Sequence, residues 1–496
     1  MRDPARDGRG ATAGVVPRLL AVPLFLLGFS YAFSLSVGGW IVCRFGRIPF
    51  WLIVANAFES PAVLPVRDIL ILGSALPLSV GVGLSLAVAF VALCRRCGAR
   101  YGKLAALAVA LAMYAAMAYA AHEAYDLLDG WFAIRNEIAC RRVKSDYFAR
   151  NFKRVSPADV TYGDRRMNLV VILSESLEEG FAEGALGGEN LLPGLVEWRK
   201  GGFRADTQCQ IAGASFTSAV LTSLFYGIPR VRLDGSVALQ DTERYPRFSI
   251  PSIWDVFLAH GYACAYVQGG TFEFGSKGRL FPETGDFRKL GFSDLCNDPA
   301  YLAEPEKNYF GVNDNVMFRY LKRESVRLMN GGKPFVLVGL TLDPHCPDGW
   351  CSAFVPRGNR GKLAESILAQ DRMICDYLDW LGKKSCASNT VVVVLGDHYY
   401  WGREFKGDTP RRVFNAVRLP GTKVSPFKRS RRFSAIDWAP TLIELTGGVV
   451  PEEGRFGMGV SLLRETPTLL ESSEVSRFDN EMQMSLSDYW DIVLRK

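Results

Sequence analysis

Three stretches within the first 121 residues, Leu19 to Cys43, Ile69 to Cys94 and Leu104 to Ala121, contain no charged residue. A helical run of about 20 apolar residues spans the hydrocarbon core of a bilayer, where backbone polar groups must be satisfied without water. Each stretch is therefore expected to cross a membrane; a buried core helix is the competing reading for any one of them. The first run is longer than the apolar core of a secretory leader and more such runs follow it, so it is expected to be a retained anchor. Arg2, Arg6, Arg9 and Arg18 precede it, and Arg95, Arg96, Arg100 and Lys103 lie between the second and third runs. An excess of Lys and Arg marks the cytoplasmic side. Three spans from a cytoplasmic N-terminus place everything beyond about His122 outside, which predicts a multi-pass membrane protein with its globular part on the far side of the membrane from the cytoplasm. Ile48 to Val63 would invert this if it crossed as a fourth span, but Pro49, Glu59 and Pro61 favour an interfacial loop.

The expected organisation is an anchor over residues 1–121, a juxtamembrane linker over 122–160, a globular domain over 161–464 and a polar, amphipathic tail over 465–496 to which the pattern assigns no role. The net charge of +7 is only mildly basic, and no strip of cations interleaved with aromatics favours nucleic acid, so anionic lipid is the better match. Eight of the 11 cysteines lie beyond the anchor (Cys140, Cys209, Cys264, Cys296, Cys346, Cys351, Cys375 and Cys386). That even number fits disulfides in an oxidising compartment, with Cys346 and Cys351 a candidate pair, and reduced buried thiols are the alternative.

Beyond about Ser156, short β-branched runs alternate with helical patterns: Asn168 to Leu173, Ala263 to Gln268, Phe335 to Leu342, Thr390 to Leu395 and Val413 to Leu419. The pattern predicts an α/β fold with a mainly parallel sheet sandwiched by helices. Helices are expected at Ile253 to His260 and Leu363 to Leu381, each followed by glycine.

Ligands of such sheets bind beyond the carboxyl ends of the strands. Three runs end on polar groups: Ser174-Glu175-Ser176, Asp343-Pro344-His345 and Gly396-Asp397-His398. A single carboxylate is most simply a helix cap or an ion-pair partner; three such ends, carrying two of only four histidines, point to one site. Gly213-Ala214-Ser215-Phe216-Thr217 reads as a loop opening a helix that stops at Gly227-Ile228-Pro229. A hydroxyl there meets free N–H groups and the positive end of the helix dipole, although an ordinary N-cap would look the same. Glu, Thr, Asp and His offer mixed oxygen and nitrogen donors to one divalent ion, Mn²⁺, Zn²⁺ or Mg²⁺.

From Asn168 to about Gly447 the chain resembles the lipoteichoic-acid-synthase and phosphoglycerol-transferase branch of the alkaline-phosphatase/sulfatase-like superfamily. Asn168 to Ser176 is similar to the branch's first motif, which implies that Glu175 is a metal ligand. Gly213 to Thr217 resembles the nucleophile motif, which implies attack by Thr217, itself also a metal ligand. Val394 to His398 is similar to the later metal motif and implies Asp397 and His398 as ligands. Ser434 to Thr441 resembles a structural stretch of sulfatase-like domains, whereas Cys209-Gln210-Ile211-Ala212-Gly213 does not fit the Cys-x-Pro-x-Arg of true sulfatases. Thr341 to Gly349, and Val267 through Gly269, Gly270, Phe274, Gly275 and Lys277 to Arg279, resemble the periplasmic-glucan phosphoglycerol transferases. This implies His345 and Lys277 as substrate-binding residues. The chain departs from those enzymes in having no long C-terminal region, which leaves the acceptor open.

The resemblance implies a catalytic domain that moves a phosphoglycerol or related head group from a membrane phospholipid, phosphatidylglycerol above all, through a phosphothreonine at Thr217 to a cell-envelope glycan or glycolipid. One divalent ion, Mn²⁺ first, is the expected cofactor. The alternatives are a phosphoethanolamine transferase, a phosphodiesterase or sulfuric-ester hydrolase of the same fold, and a catalytically silent membrane scaffold or sensor.

Overall fold

The computed structural model describes residues 8–45, 66–101, 103–126, 144–231, 246–283, 285–346, 348–353, 358, 360–401, 411–422, 425–427 and 431–495. The apolar stretch Ile48 to Val63 and much of the expected linker, with Cys140, lie outside the described residues. The chain divides into two compact units, Met1–Ile138 and Ala139–Lys496.

Among its described residues the first unit holds three helices, α1 (Gly8–Phe45), α2 (Val66–Tyr101) and α3 (Lys103–Asp126). Ala21–Trp40 and Gly73–Tyr101 are long and apolar enough to cross a bilayer; the apolar stretch of α3, Leu107–Ala120, is shorter. Many of their large side chains are exposed, among them Leu26, Leu70, Leu84 and Leu111, which suits a lipid environment better than water. Small residues let α1 and α2 approach: a Cβ on Gly28 would lie 2.5 Å from Leu86 Cδ1, and one on Gly83 would lie 2.8 Å from the Phe25 carbonyl oxygen.

The second unit is built on a six-stranded sheet. Its strands are β1 (Asn168–Ser174), β2 (Ala263–Gln268), β3 (Phe287–Leu290), β4 (Phe335–Leu340), β5 (Thr390–Gly396) and β6 (Asn415–Arg418). They lie in the order β3-β2-β4-β1-β5-β6, and all neighbours are parallel except β5 and β6. Every residue of β1 is buried. Leu169, Val171 and Leu173 join one apolar cluster while Val170 and Ile172 join another, so the sheet is covered on both faces, as the unbroken apolar run requires. The charged edge strand β3, with Arg288 and Lys289 exposed, is too short and polar to be read from sequence; such residues discourage edge-to-edge pairing.

One face carries α5 (Thr217–Tyr226), α6 (Ile253–Ala259) and α9 (Trp438–Leu445); the other carries α7 (Asp314–Asn330) and α8 (Lys362–Gly382). Helix α6 begins in a capping box, in which Ser252 Oγ accepts from the Asp255 N–H and the Asp255 carboxylate accepts from the Ser252 N–H. Gly227 stops α5 in a left-handed conformation (φ 65°), as its place in the sequence suggests, and a Cβ there would lie 2.3 Å from the Phe456 carbonyl oxygen.

The segment from Glu465, without a role in the sequence reading, is part of the globular unit. Helices α10 (Val475–Met484) and α11 (Leu486–Leu494) pack on α4 (Tyr147–Asn151), with Phe148 and Tyr489 fully buried and their rings 4.7 Å apart. Ser145 N–H donates to the Met484 carbonyl and Phe148 N–H to Ser485 Oγ, so the entry and exit of the unit are tied together. The cysteines Cys209, Cys264, Cys296, Cys375 and Cys386 carry free thiols, so the expected disulfide framework does not involve them.

Candidate active site

Strand register brings the first elements of the site together. Ser174 of β1 lies opposite Gly396 of β5, and Leu173 lies opposite Leu340 of β4, so the residues that follow emerge side by side at the carboxyl ends of three adjacent strands. Gly396 is required here, because a Cβ would lie 1.9 Å from the Leu177 carbonyl oxygen. Backbone hydrogen bonds continue past the strand ends: the Asp397 N–H donates to the Ser174 carbonyl and the Thr341 N–H to that of Leu173.

Glu175, Asp397 and His398 are all buried, and one donor atom from each lies within 4.8 Å of the others. Thr217 completes the group from the first turn of α5, its Oγ1 donating to Asp397 Oδ2 at 3.0 Å. The cap position belongs to Phe216, in extended backbone, so the Thr217 hydroxyl is not spent on capping its own helix. All four residues expected from sequence as metal ligands therefore meet. Nε2 of His398 lies 3.4 Å from Asp397 Oδ2 and 3.7 Å from Glu175 Oε1. Its Nδ1 faces the Tyr399 carbonyl at 2.9 Å; a carbonyl only accepts, so in the neutral ring Nδ1 carries the hydrogen and Nε2 presents a lone pair to the cluster.

Burial, with the charge of Glu175 added, pushes Asp397 up to about 6. For His398 burial works downward, but the carboxylates of Asp397 and Glu175 outweigh it and the net shift is upward. Two buried carboxylates crowding one imidazole are strained for lack of positive charge. This donor set fits a divalent cation, with oxygen and nitrogen ligands of the kind that Mn²⁺, Zn²⁺ and Mg²⁺ accept.

His345 follows β4 and is wedged against Phe310, their ring centroids 3.8 Å apart, with Trp350 edge-on to Phe310. Its Nδ1 faces the Cys346 carbonyl at 2.9 Å, which leaves Nε2 as the acceptor nitrogen, and burial lowers its pKa to about 4. Lys277 is buried on a turn whose residues Gly275 and Ser276 are left-handed, and its Nζ lies 5.5 Å from the Phe274 ring centroid. The charges of His398, Asp397 and Lys277 all act on His345, so it lies within electrostatic reach of the cluster and of Lys277.

Asp343, singled out with His345 at the end of its strand, plays a different part. Its Oδ2 accepts from the Asp314 N–H and its Oδ1 from Asn308 Nδ2, while Asp314 accepts from the N–H groups of Leu342 and Asp343. This buried carboxyl pair shapes the turn that carries His345. Other supports also escaped the sequence reading. Thr341 Oγ1 accepts from both the Glu175 N–H and Gln370 Nε2, Trp401 Nε1 donates to the Ser215 carbonyl, and Tyr399 N–H donates to Gln210 Oε1. Each joins segments far apart in the chain, and a polar side chain gives no sequence signal for such a partner.

The model of the Sulfatase family matches residues 167–449. Phosphoglycerol transferase I of Escherichia coli is 24% identical over 329 residues, covering 64% of this chain and 41% of its own length. The protein of the same description from Xanthomonas axonopodis is 25% identical over 331 residues, covering 63% and 45%. The chain thus spans less than half the length of these relatives. A crystal structure of an alkaline phosphatase superfamily protein from Vibrio parahaemolyticus aligns with a TM-score of 0.51 at 19% identity, covering 73% of this chain and 98% of that one. The lipoteichoic acid synthase LtaP from Listeria monocytogenes aligns with a TM-score of 0.51 at 15% identity, covering 73% and 99%. The expected fold, an alkaline-phosphatase-like α/β fold, is thereby shown.

Proposed function

The chain belongs to the Sulfatase family, and from that premise and the site's geometry we propose that it is a metal-dependent phosphotransferase that uses Thr217 as nucleophile. The observation that carries this reading is the Thr217 hydroxyl, hydrogen-bonded at 3.0 Å to a buried Glu-Asp-His cluster at the positive end of a helix. Glu175, Asp397, His398 and Thr217 would hold one divalent ion, Mn²⁺ in our assignment. When bound, that ion supplies positive charge that acidifies the hydroxyl and offsets charge on the phosphoryl oxygens.

In the first step Thr217 Oγ1 attacks the phosphorus of a membrane phospholipid, phosphatidylglycerol in our reading. Its proton leaves to water, and Lys277 offsets charge on the transferred group. The bond from phosphorus to the diacylglycerol oxygen breaks, that oxygen takes a proton from water, and a phosphothreonine that carries the head group remains. In the second step a hydroxyl of a cell-envelope glycan or glycolipid enters the apical position that the diacylglycerol left. It gives its proton to Nε2 of His345, which passes it on to water, its oxygen attacks phosphorus, and the bond to Thr217 breaks as the threonine oxygen takes a proton from water. With Nδ1 committed to the Cys346 carbonyl, a neutral His345 presents the Nε2 lone pair and has no hydrogen to donate from that nitrogen. The cation of Lys277 favours a glycerol head group over an ethanolammonium one.

A donor whose head group lies at the bilayer surface fits a membrane-anchored enzyme, and we assign the protein to the bacterial inner membrane with three spans and a periplasmic catalytic unit. The test is mass spectrometry of the full-length protein after incubation with Mn²⁺ and phosphatidylglycerol. A phosphoglycerol adduct on the Thr217 peptide, absent in Thr217→Ala, is expected. A phosphoethanolamine adduct from phosphatidylethanolamine instead would move the donor assignment. An inert protein with both lipids would overturn the transferase in favour of a silent scaffold.

A further inference from the structure

Ser176, to which neither motif nor family likeness assigns a part, touches both carboxylates of the cluster. Its Oγ donates to Glu175 Oε1 at 2.6 Å, and its backbone N–H donates to Asp397 Oδ1 at 2.7 Å. The His398 N–H also donates to Asp397 Oδ1, at 2.8 Å, so that oxygen is turned toward the backbone and Oδ2 is the one presented to Thr217 and to His398 Nε2. To make both contacts Ser176 adopts a left-handed backbone (φ 53°), one of only four such non-glycine residues among those described. It does so at 1% exposure. A side chain in that region is disfavoured, and glycine would sit there without strain. Backbone strain held at a buried site persists where the surrounding structure uses it.

We propose that Ser176 is a positioning residue of the cation site: it sets the spacing of the Glu175 and Asp397 carboxylates and selects Asp397 Oδ2 as the oxygen that faces the ion. The inference rests on the metal site of the proposed function and deepens it. Groups that orient metal ligands typically change affinity about 10–100-fold when removed.

The experiment is calorimetric titration of Mn²⁺ into full-length metal-free protein in detergent, for the parent, Ser176→Ala and Ser176→Gly, with thermal unfolding of each metal-free sample. Both variants lose the Oγ donor, so both are expected to bind Mn²⁺ about 10–100-fold more weakly. Ser176→Gly sheds the backbone strain and is expected to unfold at a higher temperature than Ser176→Ala. Affinity falling in both variants, irrespective of their order in stability, supports positioning. Affinity within twofold of the parent in the glycine variant overturns it and leaves Ser176 as a turn residue. A parent that binds no Mn²⁺, Zn²⁺ or Mg²⁺ defeats instead the metal site on which the inference rests.

Discussion

At the scale of single residues, the site works by committing one end of each polar group and leaving the other available. His398 and His345 each give Nδ1 to the carbonyl of the next residue, and Asp397 gives one oxygen to two N–H groups and the other to Thr217. Thr217→Ala removes the proposed nucleophile and should lower turnover at least about a thousandfold, read as diacylglycerol release; Thr217→Ser should keep a measurable rate. A second prediction concerns Asp343. Burial pushes it up to about 7, and Asp314 is raised as well, by burial and then by Asp343. A carboxyl whose folded pKa lies above its unfolded value contributes stability at low pH that is lost as pH rises through the folded value. Urea-unfolding midpoints should therefore decline between about pH 4 and about pH 7, and Asp343→Asn should flatten part of that decline. An unchanged slope would mean that the pair does not titrate in this window.

At the scale of elements, the site depends on loops clamped to strand ends. Glu178, fully buried, accepts from Arg411 and from the Tyr400 N–H, which ties the residues after β1 to the segment that follows His398. Removing the cation strands a buried carboxylate, so Arg411→Ala should cost about 2–4 kcal/mol in chemical unfolding, with Arg411 partly exposed and the full buried-pair penalty not reached. Helix α5 is held as firmly at its far end. Gly227→Ala combines a left-handed backbone with a clash against the Phe456 carbonyl and should cost more than about 2 kcal/mol by the same measurement. Its Thr217 adduct should form slowly even in the folded fraction, because the helix start moves with its end.

At the scale of the whole molecule, the globular unit closes on itself: its first described helix, α4, is packed under its last two. Truncation at residue 464 would expose Phe148 and remove the buried Phe478 and Tyr489, so that variant is expected to be insoluble or to lose its cooperative unfolding transition. Ion binding to the folded state alone adds stability that grows with the logarithm of the free ion concentration over Kd, about 2.7 kcal/mol at a hundredfold excess. Chelation should thus lower the unfolding temperature of the parent and abolish adduct formation, while leaving the unfolding temperature of a Glu175→Gln, Asp397→Asn double variant unmoved.

Local chemistry carried much of this in the sequence itself. Apolar runs such as Asn168 to Leu173 and Thr390 to Leu395 read as buried parallel strands because both faces of each must be covered, and Glu175, Thr217, Asp397 and His398 were legible because they stand where such strands and one helix end. Gly227 marked its helix stop because no other residue takes that backbone without strain. Contacts between distant segments had no such signal. Ser176 on Asp397, Thr341 under Glu175, Asp343 turned to Asp314 instead of a ligand, and a polar tail folded under the entry helix all depend on which strand lies beside which. Strand order and register are collective properties of the packed core, whereas the chemistry of each strand end is written in the few residues that form it.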